Sequence, residues 1–512
     1  MSSHLRVLML GWEFPPFITG GLGTACYGLT KALDRCDVDV TFVLPKSVDE
    51  SHASHVELVC PRADGSAPQG PAATAPAPPP QRLVFDGPAG AHSESLEQIV
   101  TRLAPILRRE RELGHVEFVD IPGEYPSIYG GDAPGPVSVT TQHLIERIRE
   151  EGGLSVERLR VLAAAGAFGG RPMSDIDATL LSVLPEAPRR EASGQAAHDA
   201  HSDYGGDLMG AADRYARFAV DACRNRQFDV IHAHDWLTYP AGLALQKLTG
   251  KPLVVHVHST EFDRSGEHPN QQVYSIERRG MWGATRIIAV SMLTKNVCVN
   301  RYGVNANKID VVYNGVDVDP KDYGIQPIHT KDHIVLYFGR ITLQKGPEYF
   351  IRAAKRVLEV RDDVKFVVAG SGDQAARMIE MAAQLGIGHK VLFTGFLRGK
   401  DIARVFALAD LYVMPSVSEP FGIAPLEAIS HNVPVLISKS SGVSEVLMHA
   451  LKVDFWDVED MANKIIAVLR HPPLSRALRD GSMFEVRAIS WDGAAQHCVR
   501  TYQTAMASAA RR

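Results

Sequence analysis

Two glutamates, Glu419 and Glu427, stand eight positions apart in the segment SEPFGIAPLEA. Eight residues is a little over two helical turns, so one continuous helix would place both carboxylates on the same face. The intervening Pro-Phe-Gly break instead predicts that Glu419 lies on the loop before a helix and Glu427 inside that helix. One carboxylate would then meet a ligand at the helix N-terminus, and the other would reach it from the first turns. The alternatives are an acidic capping turn before a solvated helix face, or the acid/base couple with which glycosidases cleave a glycosidic bond.

Two cations follow a strand-like run in the segment IVLYFGRITLQKG. Arg340 and Lys345 are five residues apart, in a predicted loop that also carries Gly339 and Gly346. Arginine offers forked donors and lysine a compact point charge, so the pair is suited to bind a diphosphate without a metal. A solvated charge pair is the alternative interpretation.

Glycines recur where other predicted strands end. Gly21 and Gly23 precede a helix expected to begin near Thr24, and Gly370 and Gly372 follow the strand KFVVAG. Glycine lets a backbone approach a phosphate, and a helix N-terminus adds positive potential. The first of these segments is not a dinucleotide fingerprint, because a cysteine occupies its third glycine position. A plain strand-to-helix turn is the alternative there.

The segment VLFTGFL places Gly395 and Phe396 at one more predicted strand end. Backbone groups at this position could contact the base of a nucleotide, since ligands of open α/β sheets gather at the carboxyl ends of the strands.

The strings HAHD and VHVHS repeat histidine at alternate positions of predicted strands, where side chains share one face. Such pairs resemble metal sites, but no third ligand follows at a telling spacing, so no metal is predicted. We expect one histidine per strand to be buried and hydrogen-bonded, and the last polar residue to project between the domains. These projecting residues are His258 and Asp235. The DxD strings Asp37/Asp39 and Asp317/Asp319 are interpreted as structural.

Composition limits the class of protein. The chain has 512 residues, 45% hydrophobic and 22% charged, with a formal net charge of -5. This predicts two globular domains, no nucleic-acid partner and no integral membrane segment. The apolar run after the first residues is interpreted as a buried strand and not as a signal peptide. Six cysteines occur without a CxxC motif, so we expect a reducing, cytoplasmic location.

Near-continuous Val/Ile/Leu runs alternate with helical segments, which predicts parallel sheets covered on both faces in an α/β fold. We expect two Rossmann-like domains facing each other across a cleft, with a hinge near Asn314-Gly315. The predicted units are an N-terminal domain over 1–315 with an insertion at 50–205, a nucleotide-sugar-binding domain over 316–488, and a final helix over 489–512. The insertion is expected to hold two helices between a Pro/Ala-rich stretch and a polar stretch.

These motifs, in this order, resemble the retaining glycosyltransferases of family 4 and, more loosely, the glycogen synthases, which share the GT-B fold. The resemblance covers about 1–45 and 205–505, with HAHDW, VHSTEFDRSG, NGVD, GRxxxQKG and SEPFGIAPLEA its sharpest pieces. It implies a last helix that crosses back to the first domain. It also implies transfer of a hexose with retention, without a metal or cofactor.

The resemblance assigns roles to the residues already singled out. Glu427 is expected to bind the ribose hydroxyls, and Glu419 the donor sugar near its anomeric carbon. Arg340 and Lys345 would stabilise the leaving diphosphate, and His258 would bind the sugar with Asp235 beside it. The full expected donor-binding set comprises Gly21, Gly23, Gly339, Arg340, Lys345, Gly370, Gly372, Phe396, Glu419, Phe421, Gly422, Ile423 and Glu427.

The sequence therefore predicts an enzyme that moves glucose or another hexose from a nucleotide sugar, such as UDP-glucose or ADP-glucose. An α-glucan is the favoured acceptor. A mannosyl or other hexosyl transfer to a small or lipid-linked acceptor, a sugar-nucleotide epimerase, and a silent glycan-binding scaffold are the alternatives. An NAD-dependent enzyme is disfavoured by the missing GxGxxG, and a phosphorylase by the lack of a context for a pyridoxal lysine.

Overall fold

The computed structural model describes residues 4–14, 21–45, 56–59, 116–119, 208–317 and 331–510. The two helices, the Pro/Ala-rich stretch and the polar stretch predicted within 50–205 lie outside these residues. Short apolar runs build the central strands, such as Val230–His234 and Leu411–Met414, which are buried on both faces as is typical of parallel sheets covered by helices.

The first sheet has eight parallel strands in the order β3-β4-β2-β1-β5-β6-β7-β8. Its strands are β1 Leu5–Leu10, β2 Val38–Val43, β3 Val56–Val59, β4 Val116–Val119, β5 Val230–His234, β6 Leu253–Val257, β7 Arg286–Ala289 and β8 Ile309–Val311. Because β3 and β4 fall within 50–205, the predicted insertion supplies one edge of the sheet.

The second sheet has six parallel strands in the order β11-β10-β9-β12-β13-β14. Its strands are β9 His333–Phe338, β10 Val364–Ala369, β11 Val391–Gly395, β12 Leu411–Met414, β13 Val435–Ser438 and β14 Leu451–Val453. Two parallel α/β units confirm the predicted fold. The boundary placed after residue 315 stays a prediction, since 318–330 lies outside the described residues.

Helices cover both faces of the sheets. Around the first sheet lie α1 Gly21–Asp34, α2 Leu208–Cys223, α3 Tyr239–Thr249, α4 Glu261–Ser265, α5 Gln271–Gly283 and α6 Met292–Tyr302. The later helices are α7 Pro347–Leu358, α8 Ala375–Gln384, α9 Lys400–Leu408, α10 Ala424–Ser430, α11 Val458–Arg470, α12 Pro472–Val486 and α13 Trp491–Ala509. Each sheet has one buried apolar cluster on either face.

The last helix, α13, packs on the first domain although it follows the second in sequence. Its Trp491 and Tyr502 belong to the same apolar cluster as Met9 of β1. Gly28 of α1 makes this contact possible, because a Cβ there would lie 2.3 Å from the Trp491 ring. The chain therefore passes between the domains twice, once after β8 and once before α13.

The two chain segments that connect the domains lie next to each other. The amide of Val316 donates to the carbonyl of Ile489 at 3.3 Å. A Cβ at Gly315 would lie 2.3 Å from the backbone nitrogen of Trp491, so only glycine allows this approach without displacement. The predicted hinge at Asn314-Gly315 thus lies against the start of α13. No helix in the described part of the chain has the length and hydropathy needed to cross a bilayer.

Candidate active site

The predicted cationic loop follows β9 at the carboxyl edge of the second sheet. Gly339 leaves the strand with a φ of 151°, and a 3₁₀ turn spans Leu343–Lys345. At the end of this turn, Lys345 Nζ lies 2.6 Å from Glu419 Oε2. The exposed fractions of the two side chains are 21% and 9%, so the ion pair is largely shielded from water. Arg340 lies five residues earlier in the same loop, and its carbonyl accepts a hydrogen bond from Tyr337 Oη at 2.7 Å.

Glu419 lies on a loop, as the Pro-Phe-Gly break predicts. Its amide donates to the Ser440 carbonyl at 3.0 Å, and its own carbonyl accepts from the Gly442 amide at 2.9 Å. The Ser416 hydroxyl donates to the same Oε2 that contacts Lys345, at 3.2 Å. The carboxylate is therefore fixed by its own backbone and by two side chains.

Glu427 lies inside α10, one turn after the helix begins at Ala424. Its backbone amide donates to the Ile423 carbonyl, and its backbone carbonyl accepts from the His431 amide. Its carboxylate makes no hydrogen bond to any other described residue. Burial raises the pKa of this carboxyl from 4.5 to about 7. A partly buried acceptor without a partner is suited to bind hydroxyl groups of a ligand.

Three of the seven residues between the glutamates, Phe421, Gly422 and Ile423, differ in what they offer a ligand. Phe421 is buried, its ring packs in the second domain, and its carbonyl accepts from Val443, so the side chain does not face a ligand. Gly422 has a φ of 102° and lies close to the Glu419 side chain. Ile423 is partly buried and packs against apolar clusters of both domains.

Gly370 and Gly372 have a packing role that the sequence did not indicate. A Cβ at Gly370 would lie 1.9 Å from the Gly339 carbonyl oxygen, and one at Gly372 would lie 2.3 Å from that of Ile341. Both glycines therefore let the loop after β10 approach the cationic loop. Their contact with a nucleotide stays a prediction.

Phe396 lies directly after β11, with 53% of its surface exposed. Gly395 turns the chain there with a φ of 73°, and the Arg398 guanidinium carbon lies 5.2 Å from the Phe396 ring centroid. An exposed ring beside a cation at a strand end offers a flat surface for a base.

The first-domain glycines are helical and do not form a loop. Gly21 is the first residue of α1 and Gly23 is buried in its first turn, so the helix begins earlier than the predicted start near Thr24. Glycine is tolerated here because the first-turn amides have no intrahelical partner. A Cβ at Gly21 would meet no atom of the described residues within 4 Å.

Asp235 directly follows β5, and its carboxylate binds the backbone directly after β6. Its φ of 57° is unusual for a residue other than glycine, and its Oδ1 accepts from the amides of His258 and Ser259 at 2.7 and 3.3 Å. Burial raises the pKa of this carboxyl from 3.8 to about 7. The geometry gives Asp235 a positioning role, since the oxygen that would face His258 is already bonded to its backbone.

The expectation of one buried histidine per strand is wrong for β5 and confirmed for β6, where His256 is buried and His258 is partly exposed. His232, His234 and His256 are all buried, because the register of β5 and β6 places His234 beside His256 and all the histidines on one face. Together with His258 they form a stacked array, with ring centroids 4.0 Å apart for His256 and His258. Burial lowers the pKa of His258 from 6.5 to about 3, so this imidazole is neutral at physiological pH.

The array is held by hydrogen bonds between rings. His232 contacts Tyr502 Oη at 2.7 Å and His256 Nδ1 at 3.2 Å, and His234 Nδ1 contacts His258 Nε2 at 2.9 Å. One nitrogen from each of His232, His234 and His256 lies within 4.8 Å of the others. The ring planes differ by 11° between His232 and His256 and by 32° between His234 and His256. The absence of a metal stays a prediction.

Residues of the two domains also meet where the strands end. Ser418 Oγ donates to Asp263 Oδ1 at 2.6 Å, between the loop after β12 and helix α4. Glu445 accepts from the amides of Met292 and Leu293 at 2.9 and 2.7 Å. Sequence analysis missed these contacts. The one available signal was the Thr-x-x-Asp spacing that ends at Asp263, which forms a capping box on α4.

Comparisons with known proteins agree with this geometry. The chain matches the family models for Glycosyl transferases group 1 over 319–482, Glycosyltransferase Family 4 over 183–320 and the starch synthase catalytic domain over 6–68. An uncharacterized glycosyltransferase of Methanocaldococcus jannaschii is 31% identical over 299 residues, which cover 55% of this chain and 76% of that protein. A D-inositol 3-phosphate glycosyltransferase of Pseudarthrobacter chlorophenolicus is 28% identical, covering 56% and 74%. A glycogen synthase of Mycobacterium tuberculosis is 27% identical, covering 54% and 71%.

Solved structures resemble the whole chain. Sucrose-phosphate synthase from Thermosynechococcus elongatus aligns with a TM-score of 0.61 and 16% identity, over 98% of this chain and 99% of that one. Anabaena HepE in complex with UDP and glucose aligns with a TM-score of 0.56 and 15% identity, over 98% and 100%. Two parallel α/β domains that meet at their strand ends place the protein in the GT-B class. With the relatives above, the chain belongs to the glycosyltransferases.

Proposed function

We propose that this glycosyltransferase takes a hexose, glucose in the first instance, from a nucleoside-diphosphate sugar. The observation that carries the proposal is the Lys345–Glu419 ion pair, 2.6 Å long, beside Arg340 and at the strand ends of the second domain. A lysine and an arginine on one loop match the charge of a diphosphate. A carboxylate held against that lysine lies where the sugar of the donor would begin.

Each remaining residue has a place in this arrangement. The Glu427 carboxylate, which has no hydrogen-bond partner among the described residues, would accept hydrogen bonds from the ribose hydroxyls. The neutral His258 imidazole would bind the sugar from the first domain, and Gly21 and Gly23 would approach the distal phosphate at the start of α1. Phe396 would lie against the base.

We infer that transfer proceeds with retention and that the two cations act where other transferases use a metal. The bond between the anomeric carbon and the phosphate oxygen breaks, and the acceptor oxygen bonds to the same face of the sugar. The acceptor proton passes to the departing phosphate. Arg340 and Lys345 favour this step because negative charge grows on the diphosphate as it leaves.

The acceptor is proposed to be an α-glucan. The similarity to a glycogen synthase and the match to a starch synthase domain support it. A small phosphorylated acceptor is the second candidate, supported by the similarity to a D-inositol 3-phosphate glycosyltransferase.

The test is a screen of purified protein against UDP-, ADP- and GDP-sugars. Each donor is combined with glycogen, with D-inositol 3-phosphate or with no acceptor, in the presence and absence of EDTA. We expect one donor to be turned over with one acceptor, EDTA to have no effect, and the anomeric configuration to be kept in the product. Strict metal dependence, or neither binding nor turnover of any nucleotide sugar, would refute the proposal.

Lys345→Ala is the matching variant. It should abolish turnover and leave the circular dichroism spectrum unchanged, because the lysine is at the end of a turn and not in the core. Wild-type rates in this variant would show that the lysine does not bind the diphosphate.

A further inference from the structure

Among the hydrogen bonds between the two domains, one lies beside Glu419 and links its segment to that of His258. The Ser418 hydroxyl donates to Asp263 Oδ1 at 2.6 Å. Ser418 directly precedes Glu419, and Asp263 lies five residues after His258. The bond therefore connects the segments that carry the two residues proposed to contact the donor sugar from opposite domains.

On the first-domain side, Asp263 is held firmly. Its carboxylate is buried, and Oδ2 accepts from the Thr260 amide at 2.7 Å and from the Thr260 hydroxyl at 2.8 Å. This leaves Oδ1 for Ser418. Thr260 follows Ser259, whose amide is bonded to Asp235, so the path from the strand end to Asp263 is fixed at each step.

On the second-domain side, Ser418 is hydrogen-bonded to the 3₁₀ turn Leu343–Lys345. Its carbonyl accepts from Gln344 Nε2 at 3.2 Å, and the Val417 amide donates to the Gln344 carbonyl at 2.9 Å. Gln344 is the neighbour of Lys345. A displacement of Ser418 would therefore move both members of the Lys345–Glu419 pair.

We propose that Asp263 and Ser418 are positioning residues that set the distance between His258 and Glu419 across the donor sugar. The proposal rests on the proposed function, because it assumes that these two residues contact the donor. Neither Asp263 nor Ser418 touches the donor itself. Their bond joins the two domains and holds the first-domain imidazole toward the sugar that Glu419 would orient.

The expected effect follows from the type of bond. A hydroxyl that donates to a carboxylate makes a charge-assisted hydrogen bond, which is stronger than one between neutral groups. Its loss should lower kcat about tenfold. The donor KM should change less than about threefold, because the backbone bonds of Val417 and Ser418 to Gln344 remain and keep Lys345 in place.

The kinetic test uses the full-length protein with UDP-glucose and glycogen, or the pair that the screen identifies. Ser418→Ala should lower kcat, and Ser418→Thr should restore it because threonine keeps the hydroxyl. Ser444→Ala is the matched control, since that hydroxyl donates only to the carbonyls of Lys439 and Ser441 in its own domain. In the Asp263→Ala background, Ser418→Ala should have no further effect. Independent, multiplying effects of the two changes would overturn the proposal.

A second measurement needs no activity. In hydrogen–deuterium exchange on the ligand-free protein, Ser418→Ala should speed exchange in the first-domain peptide 258–266, whereas Ser444→Ala should not. Unchanged exchange in this peptide would overturn the connection between domains. Faster exchange together with a wild type that turns over no nucleotide sugar would instead refute the proposed function while the connection stands.

Discussion

The Lys345–Glu419 pair predicts that one substitution will strengthen nucleotide binding while it weakens catalysis. Glu419 Oε2 lies 2.6 Å from Lys345 Nζ, so the carboxylate would compete with a diphosphate for the lysine. Glu419→Gln removes this competing charge and keeps the shape of the side chain. We therefore expect tighter binding of UDP and a large loss of transfer.

The magnitude follows from the geometry of the pair. At 2.6 Å and an effective dielectric constant of ~20, the Coulomb attraction is roughly 6 kcal/mol. Most of this is offset by the desolvation of both charges and by screening at Lys345, which has a side chain 21% exposed. A net gain of about 1.4 kcal/mol on freeing the lysine corresponds to about tenfold in the Kd of UDP.

Isothermal titration calorimetry with UDP measures the change directly. Ser416→Ala is the control, because it removes an uncharged donor from the same Glu419 oxygen and leaves the ion pair. In parallel, Glu419→Gln should lower kcat at least about a hundredfold if the carboxylate acts at the anomeric carbon. Equal or weaker UDP binding in Glu419→Gln would refute the reasoning, since Lys345 would then not bind the diphosphate in place of Glu419.

Three further predictions follow from single residues. Glu427→Ala should raise the donor KM and leave kcat near the wild-type value in steady-state kinetics, because the ribose contact is the same in the ground state and the transition state; a loss confined to kcat would mean that the roles of the two glutamates are reversed. Because burial raises the pKa of Glu427 from 4.5 to about 7, the folded state holds this proton more tightly, and its loss destabilises the protein as pH rises between these values. The Glu427→Gln variant should therefore melt at a higher temperature than wild type at about pH 8 and at the same temperature at about pH 4. Glu380→Gln, a change at an exposed glutamate, is the control. Parallel plots of melting temperature against pH for wild type and Glu427→Gln would contradict the prediction. Gly370→Ala should lower the melting temperature or prevent folding, since its Cβ would lie 1.9 Å from the Gly339 carbonyl oxygen, and an unchanged melting curve would show that the two loops are not in contact.

The strands and their parallel order could be predicted because a strand buried on both faces is recognisable from its own residues. The runs that form β1 and β9 are nearly continuous in Val, Ile and Leu, and both were found. The edge strands β3 and β4 were missed because they lie in a region where loop-forming composition dominates.

The candidate site was predictable only in part, for a physical reason. Lys345 and Glu419 each follow a strand of one sheet, and strand ends of a parallel sheet lie on a common edge, so their proximity could be expected. The Ser418–Asp263 bond joins residues 155 positions apart in different domains. It depends on the relative position of the two domains, which no local sequence pattern indicates. The histidine array likewise depends on the register between β5 and β6.

The geometry of Glu419 also bears on the glycosidase alternative. Such an enzyme needs two carboxyl groups that both face the scissile bond, one of them ready to deliver a proton. Here one oxygen of Glu419 accepts hydrogen bonds from both Lys345 and Ser416. The loop that carries Glu419 is also hydrogen-bonded to the turn before Lys345, through Gln344. A carboxylate with these contacts is placed to orient a ligand and to balance the charge of a phosphate-binding lysine. UDP-glucose without acceptor should therefore be hydrolysed far more slowly than it is used for transfer. Hydrolysis at the transfer rate would instead favour an acid/base couple.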